Sequence, residues 1–214
     1  NISGDNGSVV RKDNNLAISL DKDLPVPNNE NNISVWVEAV DRVGHVSKNS
    51  RTLSIDKDAP VISVSYDTNN ESSFYNKTRT AKVSIKERNF RSGDVQFNGV
   101  YGSIGEWSKV GEDTWVTNVV FSEDNDYEWS VDYTDLAGNK GNSYQSEKFT
   151  IDKTAPVLNV SFDNNSVENG NFYKDTRKAT VTVSEKNFNP SLVNLEGSGS
   201  LGGWSSNGNI HTAS

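Results

Sequence analysis

The sequence predicts an all-β fold: tandem antiparallel β-sandwiches joined by short junctions that contain proline. Three observations predict it. Short segments alternate apolar and polar residues with period two, no stretch keeps a convincing helical period, and four sequence blocks recur in the same order about one sandwich length apart. Composition agrees. Hydrophobic residues are 33% of the chain, too few for one thick core, while 28 Asn and 16 Gly supply turn positions.

Along the chain, the first strand signals matched to a repeat lie at Asn32–Val40 and Leu53–Asp56. ISVSY then puts Ile62, Val64 and Tyr66 on one face, and AKVSIK sets Ala81, Val83 and Ile85 against Lys82, Ser84 and Lys86. A later strand begins at Asp113–Asn118. YEWSVDY turns Tyr127, Trp129, Val131 and Tyr133 inward and Glu128, Ser130 and Asp132 outward, which makes Trp129 a core residue. LNVSF repeats the first pattern with Leu158, Val160 and Phe162, and ATVTVS the second with Ala179, Val181 and Val183. Such alternation belongs to antiparallel sheets packed on one face. Between strands, DLAGNKG (Asp135–Gly141) reads as a tight connection. Asp135 and Asn139 can bond backbone groups locally, and Gly138 can take positive φ. Asp135 has a second reading as a cation ligand.

The recurrence sets the domain plan. Leu53–Asp67 matches Phe149–Asp163, Ser73–Phe90 matches Asn171–Phe188, Ile104–Ser108 matches Leu201–Ser205, and Val40–Ser47 matches Thr134–Gly141. The offsets drift by a few residues, as loop insertions make them do. Residues 57–152 then form one complete repeat, 1–56 the C-terminal part of a repeat, and 153–214 the N-terminal part of a third. The phrases IDKDAP and IDKTAP become seams: Ile55 and Ile151 close a last strand, and Pro60 and Pro156, lacking an N–H, stop pairing before the next begins. An incomplete sandwich leaves unpaired edges and an open core, which invites association.

Several chemistries are disfavoured. The net charge of −8 opposes nucleic-acid binding, because a phosphate-binding surface must be basic. With no Cys there is no disulfide, zinc thiolate or thiol nucleophile. His45 and His211 stand alone, and no P-loop, GxGxxG or GxSxG occurs, so the chain is not expected to be an enzyme. No apolar run approaches a membrane span. The absence of Met suggests a piece of something longer.

The blocks YTDLAGNKG, FTIDKTAPV and ATVTVSEKNF resemble the bacterial immunoglobulin-like repeats of large, mostly Gram-positive surface proteins. The resemblance covers nearly the whole chain and rests on Asp135–Asn139, Ile151–Pro156 and Val183–Phe188, with counterparts at Asp41–His45, Ile55–Pro60 and Ile85–Phe90. The first segment departs from it where His45 replaces Asn139. The resemblance implies immunoglobulin-like sandwiches in an extracellular, cell-surface or cell-wall setting, with stalk or adhesin architecture and neighbouring repeats as partners. It names no ligand, because a sandwich hosts many functions.

Three candidate sites remain. Asp56, Asp58 and Asp152 sit at the seams and could take Ca²⁺, though Thr154 replaces the second Asp of the first seam; solvated junction acids are the plainer reading, with no cofactor. Trp107 and Trp204 are equivalent and offer either core packing or a sugar-stacking platform. Trp36 aligns with the outward Ser130 and is a third candidate for an exposed ring. A glycan or host protein is the partner these rings would imply, in a binding module or an accessory region of a secreted carbohydrate-active enzyme. An isopeptide bond is disfavoured, because Lys82 and Lys86 fall on the polar face.

Overall fold

The structure, a computed structural model, describes residues 7–12, 15–20, 29–69, 72–163 and 172–214, with side chains in 29–34, 38–69, 72–163 and 172–214. Their regular structure is strand, apart from two single 3-10 turns at Ser92–Asp94 and Pro190–Leu192. The strands are β1 (Gly7–Lys12), β2 (Asn15–Leu20), β3 (Glu30–Val40), β4 (Val46–Ile55), β5 (Val61–Tyr66), β6 (Phe74–Tyr75), β7 (Arg79–Lys86), β8 (Gln96–Asn98), β9 (Ser103–Ile104) and β10 (Ser108–Lys109). They continue with β11 (Thr114–Phe121), β12 (Asn125–Tyr127), β13 (Ser130–Asp132), β14 (Tyr144–Gln145), β15 (Phe149–Ile151), β16 (Val157–Phe162), β17 (Ala179–Ser184), β18 (Ser205–Asn207) and β19 (Ile210–Ala213).

The chain is thus all-β, and its antiparallel sheets fit a β-sandwich. β1 pairs β2, and β3 pairs β4 with Val40 opposite Val46. The largest sheet runs β10-β11-β7-β5, with β9 also on β11. β13 lies between β14 and β8, and β15 lies between β12 and β6, the β15–β6 pair being parallel. The last sheet runs β16-β17-β19-β18.

Two compact units result. One draws on Asn1–Asp67, Ala81–Val119 and Glu128–Glu147, the other on Thr68–Thr80, Val120–Tyr127 and Lys148–Ser214. In the first, period-two patterning acts as expected: Ala81, Val83 and Ile85 are fully buried while Lys82 and Lys86 face out. Ile62, Val119, Trp129, Val131 and Tyr133 are also buried. The Trp129 indole N–H donates to the Tyr66 hydroxyl at 2.9 Å, so this buried ring keeps a polar partner. In the second unit, Phe149 stacks on Tyr127 at 5.2 Å and meets Phe121 edge-on. The Arg79 guanidinium lies 4.2 Å from the Tyr75 ring centre and 4.6 Å from that of Phe149.

Two details differ from the sequence reading. YEWSVDY is not one strand: β12 joins β15, whereas β13 joins β14 and β8, and the run breaks at Glu128–Trp129. There the Trp129 N–H and carbonyl bond the hydroxyl and N–H of Ser146. The inward face read for β16 is open. Leu158, Val160 and Phe162 are 64%, 48% and 51% exposed, against 4% for Ile62, the counterpart of Leu158. Alternation fixes which residues share a face, and only a covering layer decides whether that face is dry.

This contrast gives a direct test in urea unfolding of dilute protein. Ile62→Ala should cost about 2–4 kcal/mol, as large-to-small changes in a packed core do. Leu158→Ala should cost less than about 0.5 kcal/mol.

Candidate functional site

The polar residues that recur at both seams converge on the end of a strand. β4 finishes at Ile55, and residues 56–60 run without a ladder until β5 starts at Val61. Side chains supply the missing bonds. Asn89, in the turn after β7, donates its amide to Asp56 Oδ2 at 2.7 Å. Arg88 Nη2 donates to the Ile55 carbonyl at 3.1 Å and lies 3.7 Å from the Asp56 carboxylate. The Asn89 N–H donates in turn to Glu87 Oε1 at 2.7 Å.

A second arm comes from the Asp135–Gly141 loop. Asp135 Oδ1 accepts the N–H groups of Ala137 and Asn139 at 2.9 and 2.8 Å, and Gly138 takes φ +92° to close the turn. Asn139 Nδ2 is shared between Asp135 Oδ2, at 2.8 Å, and the Asp56 carbonyl, at 3.1 Å. Gly141 then passes so close to the start of β5 that a Cβ there would sit 2.7 Å from the Pro60 carbonyl oxygen. Asn142 bonds both the N–H and the carbonyl of Ile62, at 2.8 and 2.9 Å. Pro60 is buried under this strap.

The same clamp recurs in the second unit. Asn187 Nδ2 donates to Asp152 Oδ2 at 2.6 Å, and the Asn187 N–H donates to Glu185 Oε1 at 2.7 Å. The Glu185 N–H donates to the Asn209 carbonyl as the Glu87 N–H does to Asp113, at 2.8 and 2.7 Å. Pro156 is exposed, unlike Pro60.

The difference between the phrases, Asp58 against Thr154, is matched by a second change 30 residues or so upstream. At the first seam Asn29 Oδ1 accepts the Lys57 N–H at 2.7 Å, and its amide donates to the Asp58 carboxylate. At the second, Asp124 Oδ1 accepts the Lys153 N–H at 2.9 Å, and Asp124 Oδ2 accepts the Thr154 hydroxyl at 2.6 Å. Each seam therefore keeps one carboxylate and one donor, with the roles exchanged. The Thr154 hydroxyl and the Lys153 N–H hold the Asp124 carboxyl below the usual carboxylate range.

Of the three seam aspartates, only Asp56 joins other carboxylates, one of them Asp135, the other residue read as a possible cation ligand. Asp56, Glu87 and Asp135 bring one oxygen each to within 4.8 Å of one another, and they are the group among the described residues that could hold a metal ion. Asp58 turns to Asn29, and Asp152 to Asn187. Burial, together with the charges of Asp56 and Asp135, raises the Glu87 carboxyl above its ordinary value. Trp107 is half-buried against Phe90 and Phe97, at 4.8 and 6.4 Å, and Trp204 against Phe188 at 4.8 Å. The Trp36 side chain lies outside the described residues.

Sequence reasoning found Asp56, Asp152, Asp135, Gly138 and Asn139 but missed Glu87, Asn89, Glu185, Asn187 and the Asn29/Asp124 exchange. A signal was present. In ERNF and EKNF the Glu and Asn persist while Arg88 becomes Lys186, and two polar residues repeated just past a strand need a reason. No protein-family model matches the chain, and no curated protein matches it.

The raised Glu87 carboxyl fixes a pH dependence. The folded state holds this proton to higher pH than the unfolded chain, so the contribution is complete below about pH 4.5 and is lost as pH rises through the folded value. Glu87→Gln should therefore raise Tm at pH 7 by about 2–4 °C and flatten its decline above pH 4.5. A lower Tm for the variant in calcium, but not in chelator, would instead assign the three carboxylates to a cation. At the exchanged pair, Asn29→Asp alone sets a second carboxylate against that of Asp58 and should lower Tm by about 1–2 °C. Asn29→Asp with Asp58→Thr should restore it, and calorimetry on the double-mutant cycle reads the coupling.

Proposed function

We propose that the chain is a run of immunoglobulin-like β-sandwich repeats that serves as a spacer in a bacterial surface protein, outside the cell, projecting a distal functional domain. One observation supports this reading: the Asn–Asp clamp occurs twice, each time at the stretch without a ladder between two strands, Ile55 to Val61 and Ile151 to Val157. A seam held by side-chain bonds on a stretch without a ladder resists bending, which a spacer needs and a flexible linker does not. The partners of each repeat are then its neighbours in the chain. The half-buried setting of Trp107 and Trp204 favours packing over a sugar-stacking role.

Small-angle X-ray scattering of dilute protein tests the proposal. The wild type should scatter as a stiff particle. Asn89→Ala and Asn187→Ala should each give a more flexible profile with unchanged circular dichroism. A flexible wild type, or variants that scatter like it, would remove the spacer reading.

A further inference from the structure

The block that holds Tyr75 and Arg79 recurs as Tyr173 and Arg177, and the seams do not account for it. In both copies the arginine lies over the ring of that tyrosine, at 4.2 Å and at 4.0 Å. In the first copy the same guanidinium also covers Phe149, at 4.6 Å, so it spans two strands, β6 and β15. We propose that the parallel pair β6–β15, pinned by Arg79, is a load-bearing latch that resists tension along the chain.

Connectivity sets the direction of load. β6 follows β5, so tension from the N-terminal side reaches β6 at its Ser73 end. β15 runs straight into the second seam, so tension from the C-terminal side reaches it at Asp152. The two strands are parallel, with Thr150 opposite Phe74 and Ile151 opposite Tyr75. Parallel strands drawn from opposite ends slide lengthwise, and the bonds between them load together instead of opening one by one. The Thr150 N–H donates to the Ser73 carbonyl and the Asp152 N–H to the Tyr75 carbonyl, both at 2.9 Å. Ser73 presents its carbonyl from φ +58°, a conformation unfavourable to a residue with a Cβ.

The seam delivers load to β15 and β12 together. Asp126 on β12 accepts the Thr150 hydroxyl at 2.8 Å through Oδ1 and the Lys186 ammonium at 3.0 Å through Oδ2. The segment after the seam is thus tied to both strands, and β6 lies on the far side of β15. The route from these strands to β6 and β5 crosses the parallel pair.

Side chains keep the pair in register. Phe149 and Ile151 are buried, and a slip of one residue would turn both out of the core. Phe149 stacks on Tyr127 and meets the Tyr75 ring edge-on at 6.0 Å. β6 is two residues long, so its ladder is short and the pin matters. Buried Arg79 donates its Nε–H to the Thr68 carbonyl at 3.2 Å, which fixes the guanidinium where its charge attracts both ring faces.

The latch deepens the spacer reading and is tested apart from it, because scattering reads stiffness and pulling reads strength. The test is single-molecule pulling on the full chain through cysteine pairs, which are specific because the chain has no Cys. Ser72→Cys with Lys153→Cys draws β6 and β15 from opposite ends. Lys77→Cys with Lys153→Cys draws them from the same end and peels them apart. All three positions are exposed. The first pair should withstand several times the force of the second, since forced unfolding follows the barrier crossed and not equilibrium stability. Arg79→Lys keeps the charge and loses the flat guanidinium. It should lower the force for the first pair and leave the second unchanged. A flexible scattering profile beside unequal forces would remove the spacer and leave the latch. Equal forces in the two geometries would overturn the latch, whether or not Arg79→Lys folds, and so would an Arg79→Lys chain as strong as the wild type when drawn from opposite ends.

Discussion

An asparagine amide held against an aspartate carboxylate is the contact on which the seams depend. Between Ile55 and Val61 the backbone leaves one ladder and enters another, and Pro60 removes a donor in between. Backbone pairing cannot guide that passage. Asn89 and Asp56 do it instead, and hydrogen bonds to charged groups are worth roughly 1.5–3 kcal/mol. The same bond from Asn187 to Asp152 shows that the solution belongs to the seam and not to one accident of packing.

Around that bond the protein gathers acids and then has to manage them. Glu87 receives the Asn89 N–H and Asp135 organises its own loop, so each carboxylate has structural work. Their proximity is the cost, and it appears in the raised Glu87 carboxyl. The outer pair is managed differently. Exchanging Asn29 and Asp58 for Asp124 and Thr154 conserves a donor facing a carboxylate while changing both residues. Physical complementarity is kept where identity is not.

The open face of β16 follows from the same logic of layers. A period-two strand offers one apolar side, and that side is stable only when a second layer covers it. In the middle segment the covering layer comes from later in the chain, and Ile62, Val83 and Ile85 are dry. In the last segment Val183 and Ala213 are buried as well, while Leu158 and Val160 at the β16 side of the same face remain wet. The Asp41 loop that joins β3 to β4 keeps the two carboxylate bonds of the Asp135 loop.

Much of this architecture could be read from residues alone. The alternation in AKVSIK dictates that Ala81, Val83 and Ile85 share a face, because successive side chains of a strand point to opposite sides. The position of Gly138 dictates a turn, because positive φ costs glycine little. The repeated IDKDAP and IDKTAP marked Asp56 and Asp152 as seam residues. What those aspartates bind was not legible, because Asn89 is 33 residues from Asp56 and Asn139 is 83 away, and no local pattern links them. Nor could the sequence show that Asn29 and Asp58 exchange roles with Asp124 and Thr154, since a hydrogen-bonded pair is defined by a distance in space. Local sterics and side-chain periodicity fix strands and turns from sequence. Which carboxylates meet, and which apolar faces are covered, depends on contacts between distant segments and was decided only by the tertiary structure.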